Sequence, residues 1–147
     1  MVIEKLGAIS WLKDTDNGWD CLALKLINRT GAASTIGTAV QLNPSYEDSV
    51  YLSNNDDTTM GVVYSNGVSN GSDIWIGVIG FMRVLLKDGE EALRGITVTN
   101  SSTPGRLKGS IYVNNPYIYS LTFGLKGFFT DNVSSGTSVL APIFVTR

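Results

Sequence analysis

The run with the most ligand-type side chains is Asp14-Thr-Asp-Asn-Gly-Trp-Asp20, which places carboxylates at 14, 16 and 20 around a glycine. Alternate oxygens around a glycine turn can converge on one hard cation, and calcium loops begin this way. Such a loop closes with a bidentate Glu at its twelfth position, which here is Lys25. The run therefore reads as a polar turn before the first core strand, and no metal site is expected there or at Asn54–Asp57. Glu47–Asp48 and Glu90–Glu91 are adjacent acidic pairs. Acid–base work on a glycoside needs two carboxyls facing each other across a cleft. Neighbours on a strand point to opposite faces, so these pairs fit solvated turns or a helix first turn. Cys21 is the single cysteine and the chain has no histidine. That excludes an internal disulfide and every Ser-His or Cys-His nucleophile pair, and leaves only Lys or Arg to activate the thiol. Cys21 is expected to be a buried structural thiol. No phosphate-cradling glycine loop ending in Lys-Ser/Thr is present. With no convergent polar set, neither an enzyme nor a bound cofactor is expected.

Aromatic residues offer a different chemistry. Trp11 and Trp19 flank the polar turn at 14–18, and Tyr112, Tyr117 and Tyr119 cluster around Asn114-Asn-Pro116. Exposed rings of this kind stack on sugars or anchor protein interfaces. Core and edge packing accounts for any one ring; as a group these five are the interface candidates.

The elements that position them follow from composition and pattern. The chain has 147 residues and 15.8 kDa, the size of one domain able to bury a core without staples. Apolar residues make up 43% and charged residues 16%, which excludes a disordered tail. Eleven basic and thirteen acidic residues give a net charge of −2, without the basic excess of a nucleic-acid binder. No apolar run is long enough to span a bilayer, and Met1–Ser10 lacks the pattern of a signal peptide. These features point to a soluble protein, made and kept inside a cell or in a particle assembled there. The Asn-x-Ser/Thr triplets at Asn28, Asn70, Asn100 and Asn132 then read as chance products of an Asn-, Ser- and Thr-rich chain.

Turn-forming clusters recur almost evenly between short runs rich in Val, Ile, Tyr, Phe and Thr. This is the pattern of an all-β, single-domain antiparallel β-sandwich or barrel-like fold. Strands are expected at Cys21–Asn28, Gly37–Leu42, Ser49–Leu52, Met60–Tyr64, Asp73–Leu86, Ile96–Thr99, Leu107–Val113, Tyr117–Phe129 and Ser138–Val145. Asp73–Leu86 is apolar on both alternating faces, so it reads as a central strand covered on both sides. Gly77 and Gly80 within it predict a bulge, a bend or a close backbone approach. Helix is limited to at most one short segment near 88–94, with Asp88 as N-cap and Gly95 as stop. Residues 66–73 read as an exposed loop. Residues 1–20 form an N-terminal arm or first strand, and 21–147 form the β domain.

The segment order resembles that of the tailed-phage capsid decoration, or head cement, proteins. The resemblance runs through Leu24-Lys-Leu-Ile-Asn-Arg-Thr-Gly31, Gly37-Thr-Ala-Val-Gln-Leu42, Asp48-Ser-Val-Tyr-Leu52, Ala92-Leu-Arg-Gly95 and Gly136-Thr-Ser-Val-Leu140. Its most specific part is Gly61-Val-Val-Tyr-Ser-Asn-Gly-Val-Ser-Asn-Gly71, followed at once by the strand Ile74-Trp-Ile-Gly-Val-Ile-Gly-Phe-Met-Arg-Val-Leu-Leu86. The resemblance implies a β domain on the outer surface of an icosahedral phage head, with the major capsid protein as partner. It implies a homotrimer at threefold or quasi-threefold positions that stabilises the shell by bridging capsomers, with no nucleic acid and no membrane involved. An extended arm such as Met1–Leu12 would suit strand addition to a neighbour. The competing expectation is a head-fibre or adhesion module that binds host-surface carbohydrate through the tyrosine cluster.

Overall fold

The computed structural model describes residues 9–14, 19–54, 58–110 and 126–146. Within them the elements are β1 (Ile9–Asp14), β2 (Trp19–Asn28), β3 (Ala39–Leu42), β4 (Ser49–Leu52), β5 (Gly61–Val63), β6 (Asp73–Leu85), β7 (Val98–Asn100), β8 (Leu107–Gly109), β9 (Lys126–Phe129) and β10 (Leu140–Thr146). The fold is all-β, and no helix occurs among the described residues. At 88–94 the chain makes turns instead. Glu90 N–H bonds to the Lys87 carbonyl, Ile96 N–H to the Leu93 carbonyl, and Ala92 exchanges both backbone bonds with Val133. Gly89 and Gly95 hold φ of 84° and 83° there, values a continuing right-handed helix does not contain. The expected strands over 107–113 and 117–129 lie partly outside the described residues; their described parts are β8 and β9.

Eight strands form one sheet in the order β1-β2-β4-β3-β5-β6-β10-β9, and β6 also pairs with β2. That extra pairing closes β2, β4, β3, β5 and β6 into a ring. Strands in a closed ring of odd number cannot all alternate in direction, so one neighbouring pair must run parallel. It is β2 with β4, through Ile27↔Ser49 and Asn28↔Val50. The expectation of an antiparallel sheet is corrected at this one pair. Each ring strand sends apolar side chains to one shared core, which contains Leu26, Val50, Val40, Val63, Ile74 and Ile76. On the other face of β2 and β6, Trp19, Cys21, Met82, Val84, Leu107, Phe129, Ile143 and Val145 belong to a second core. The β6 strand is therefore covered on both sides, as its apolar alternation requires.

The two cores are kept in phase by a bulge. Leu22 pairs with Ile79 but Ala23 with Gly77, which leaves Val78 as the extra residue. Simple alternation would keep Ile74, Ile76, Met82 and Val84 on one face. The bulge instead sends Ile74 and Ile76 to the ring core and Met82 and Val84 to the second core. Gly80, at φ 112°, marks a close approach of the two strands, since a Cβ there would lie 2.4 Å from the Asp20 carbonyl oxygen.

β2 ends at Asn28, whose side chain is fully buried. Its amide donates to the carbonyls of Ala32 (2.9 Å) and Val68 (3.1 Å) and its oxygen accepts from Thr30 N–H and Oγ1–H. These bonds tie the 29–36 loop to the loop over 64–72, which Asn66 and Asn70 reinforce by accepting from Ile36 and Gly31 N–H. Asn100 accepts from Thr59 Oγ1–H, and Asn132 from Arg94 N–H. The asparagines of all four Asn-x-Ser/Thr triplets thus hold loops together inside this fold.

Candidate functional site

No family model matches the chain, and no curated protein matches it. The site is therefore read from geometry. No group of three or more His, Cys, Asp or Glu is placed to hold a metal ion among the described residues. The acidic run at 14–20 and the one at 54–57 lie partly outside them.

Of the five interface candidates, Tyr112, Tyr117 and Tyr119 lie outside the described residues. Trp19 sits in the second core at 1% exposure, edge-on to Tyr64 with ring centroids 5.0 Å apart. It opens β2 with a side chain on the Cys21 face, which the second core covers, so its ring is not open to a partner. Trp11 is on the surface, 52% exposed. β1 pairs with β2 from Ile9↔Leu24 to Asp14↔Trp19, which places Trp11 opposite Leu22. The Trp11 indole N–H donates to the Asp20 carboxylate, fixing the ring against the sheet.

Trp11 borders a larger feature. Registers across five strands align Lys13↔Asp20↔Phe81↔Phe144↔Phe128 in one row. Directly opposed residues share a face, so three phenyl rings stand side by side on β6, β10 and β9. Phe81 and Phe144 are 4.7 Å apart between centroids and Phe144 and Phe128 are 5.9 Å apart, both tilted. Phe81 remains 46% exposed and Phe128 41% exposed. Ile9 is exposed on the same face. The half-buried Arg83 lies two residues beyond Phe81 and opposite Pro142, with its Nε bonded to nothing among the described residues. On the reverse side of this row stand Leu12, Cys21, Gly80, Val145 and Gly127, which face the second core. One side of the sheet end is thus packed and the other carries bare rings.

The phenylalanines are the part of the site that ring type alone conceals. Trp and Tyr carry a polar handle and draw attention as interface residues. A phenylalanine announces exposure only through its partners. The available signal was glycine immediately before the ring, in Gly80-Phe81 and Gly127-Phe128.

Cys21, the single cysteine, lies on the reverse side of this row, buried in the second core. Burial first, and the neighbouring Asp20 charge second, raise its pKa from 9.0 to about 11. At pH 8 only about one molecule in a thousand is thiolate, against about one in ten for the unfolded chain. Native protein is expected to react with iodoacetamide at least tenfold more slowly than protein in urea, and equal rates would contradict this burial. Because the folded pKa lies above the unfolded one, the neutral thiol favours the fold fully below pH 9. That contribution fades as pH rises from 9 to about 11, so unfolding midpoints should fall across this window.

Proposed function

We propose that this chain is a virion structural protein, a capsid decoration protein that attaches to the outer surface of an icosahedral phage head and stabilises it by bridging capsomers. The observation that carries the proposal is the open aromatic face built on a doubly cored β frame. Clamping a shell requires a stiff body and an apolar contact surface; it requires no catalytic group. The face supplies the contact surface, and the ring closed by β2 and β6 supplies the stiffness. The segment resemblance supports the same reading. Its most specific run, Gly61–Gly71, forms β5 and the loop that enters β6, and Asn66 and Asn70 lock that loop to the 29–36 loop. In this reading the partner is the major capsid protein and the chain self-associates as a homotrimer. Repetition over a lattice turns individually weak contacts into tight attachment.

A carbohydrate-binding adhesin needs hydrogen-bond donors and acceptors beside its rings. On the described face Lys13, Asp20, Arg83 and the Trp11 N–H carry such groups, and the three phenyl rings have none of their own, so protein contact is the better match. The test is sedimentation of purified protein with expanded capsids of its phage, with a glycan screen in parallel. Saturable binding at one or three copies per lattice site, with capsids that resist heat better, is the expected result. Failure to sediment with capsids overturns the proposal, and glycan binding without capsid binding would favour the adhesin.

A further inference from the structure

We propose that the aromatic face formed by Phe81, Phe144, Phe128 and Trp11 is covered by the same face of a second copy of this chain. The proposal goes beyond the reading above and needs neither capsid attachment nor the threefold assembly, because a face that meets its own copy closes at two chains.

Three features of the face favour a copy of itself as the occupant. The first is its size. A fully covered aromatic side chain buries about 150–250 Å². Two phenylalanines and a tryptophan near half exposure, with Phe144 less exposed, therefore leave about 300 Å² of ring surface open. Ile9, Lys13, Arg83 and Pro142 rim the rings on the same side. Together they approach the roughly 600 Å² per partner at the small end of specific interfaces. A contact that uses the face on both copies therefore approaches the roughly 1,200 Å² total of that class without any other surface.

The second feature is charge. The row ends in Lys13 and Asp20, opposite charges that are direct cross-strand neighbours. A second face brings the same neutral pair, and Arg83, half-buried two residues beyond Phe81, is a further charge at its rim. The chain's net charge of −2 adds little long-range repulsion.

The third feature is the shape of the layer. The row crosses five strands, from β1 to β9, and both are the outer strands of the sheet. A sheet with one face on a core normally has its other face either polar or covered by a second layer. Here the second side is aromatic, and no described element lies over it. A copy of the sheet, stacked at the usual spacing of about 10 Å, supplies the missing layer with rings against rings.

The test is light scattering on the purified full chain without capsids, over a range of concentrations. The expected result is a particle of two chains at high concentration that shifts toward 15.8 kDa on dilution. The pair Phe81→Ser with Phe128→Ser should raise the dissociation constant by about 100-fold or more, with the far-ultraviolet circular dichroism unchanged. A 15.8 kDa particle at every concentration overturns the proposal, as does a three-chain particle or a folded variant pair that associates like the parent. Should the pair fail to fold, acrylamide quenching of the unmodified protein settles the matter. Trp11 should be shielded in the oligomer and quenched after dilution, and quenching that does not change as the oligomer dissociates overturns the proposal. Capsid sedimentation separates this inference from the reading above. A monomer that binds capsids removes the face-to-face contact alone, and an oligomer that ignores capsids removes the decoration role alone.

Discussion

Gly80→Ala should lower the unfolding free energy by about 4 kcal/mol, a large part of the roughly 5–15 kcal/mol available to a domain of this kind. Two costs combine at this position. Gly80 has φ of 112°, a backbone region that side chains other than glycine enter only at about 1–3 kcal/mol. A Cβ would also stand 2.4 Å from the Asp20 carbonyl oxygen and 2.9 Å from the Cys21 Cα. Both are backbone atoms of the strand that closes the ring, so neither can swing aside as a flexible side chain would. Relief requires β2 and β6 to separate, which strains both cores at once. Gly71→Ala is the matched control, because Gly71 holds φ of 93° with nothing within 4 Å of the added Cβ. It bears the backbone cost alone, about 1–2 kcal/mol. Urea unfolding of the two variants measures the difference, which should be about 2 kcal/mol or more. Equal losses would mean that β2 and β6 do not approach one another closely at Gly80.

What was legible in the sequence divides along the range of the interactions involved. Ser49–Leu52 is a strand as its pattern requires, and Asp73–Leu85 is the doubly covered strand that its two apolar faces predict. These depend on period and on turn residues, which are local. The glycines at 77 and 80 announced an irregularity, and both a bulge and a close approach are present. Local pattern could not tell which residue would be extra, because that depends on the register with β2. The parallel contact of β2 with β4 was equally hidden, since it follows from ring closure and strand number. The one place where the pattern allowed a short helix, 88–94, makes turns instead because Ala92 pairs with Val133, some forty positions away in the chain. The site followed the same rule. Trp11 was legible as a ring beside a polar turn, whereas the phenylalanine row exists only after β6, β10 and β9 come into register.

Trp19 shows why ring type and position were insufficient, and two substitutions separate its roles. Trp19→Ala should cost about 3–5 kcal/mol, because a fully buried indole leaves a cavity beside Tyr64 and Cys21 that the closed sheet cannot collapse to fill. Trp19→Phe should cost far less, about 1–2 kcal/mol. The smaller ring keeps much of the packing and the edge-on contact with Tyr64. It also removes an indole N–H that is buried without a hydrogen-bond partner among the described residues. A buried unpaired donor has already forfeited its bond to water, so deleting it returns part of the packing loss. Chemical denaturation of the three proteins gives the ordering directly. The same variants bear on the surface that meets a partner. Trp19 points into the second core and Trp11 lies on the open face, so Trp19→Phe should leave self-association as it was while Trp11→Ser weakens it. Weaker association in Trp19→Phe, with stability retained, would place the contact on the wrong side of the sheet.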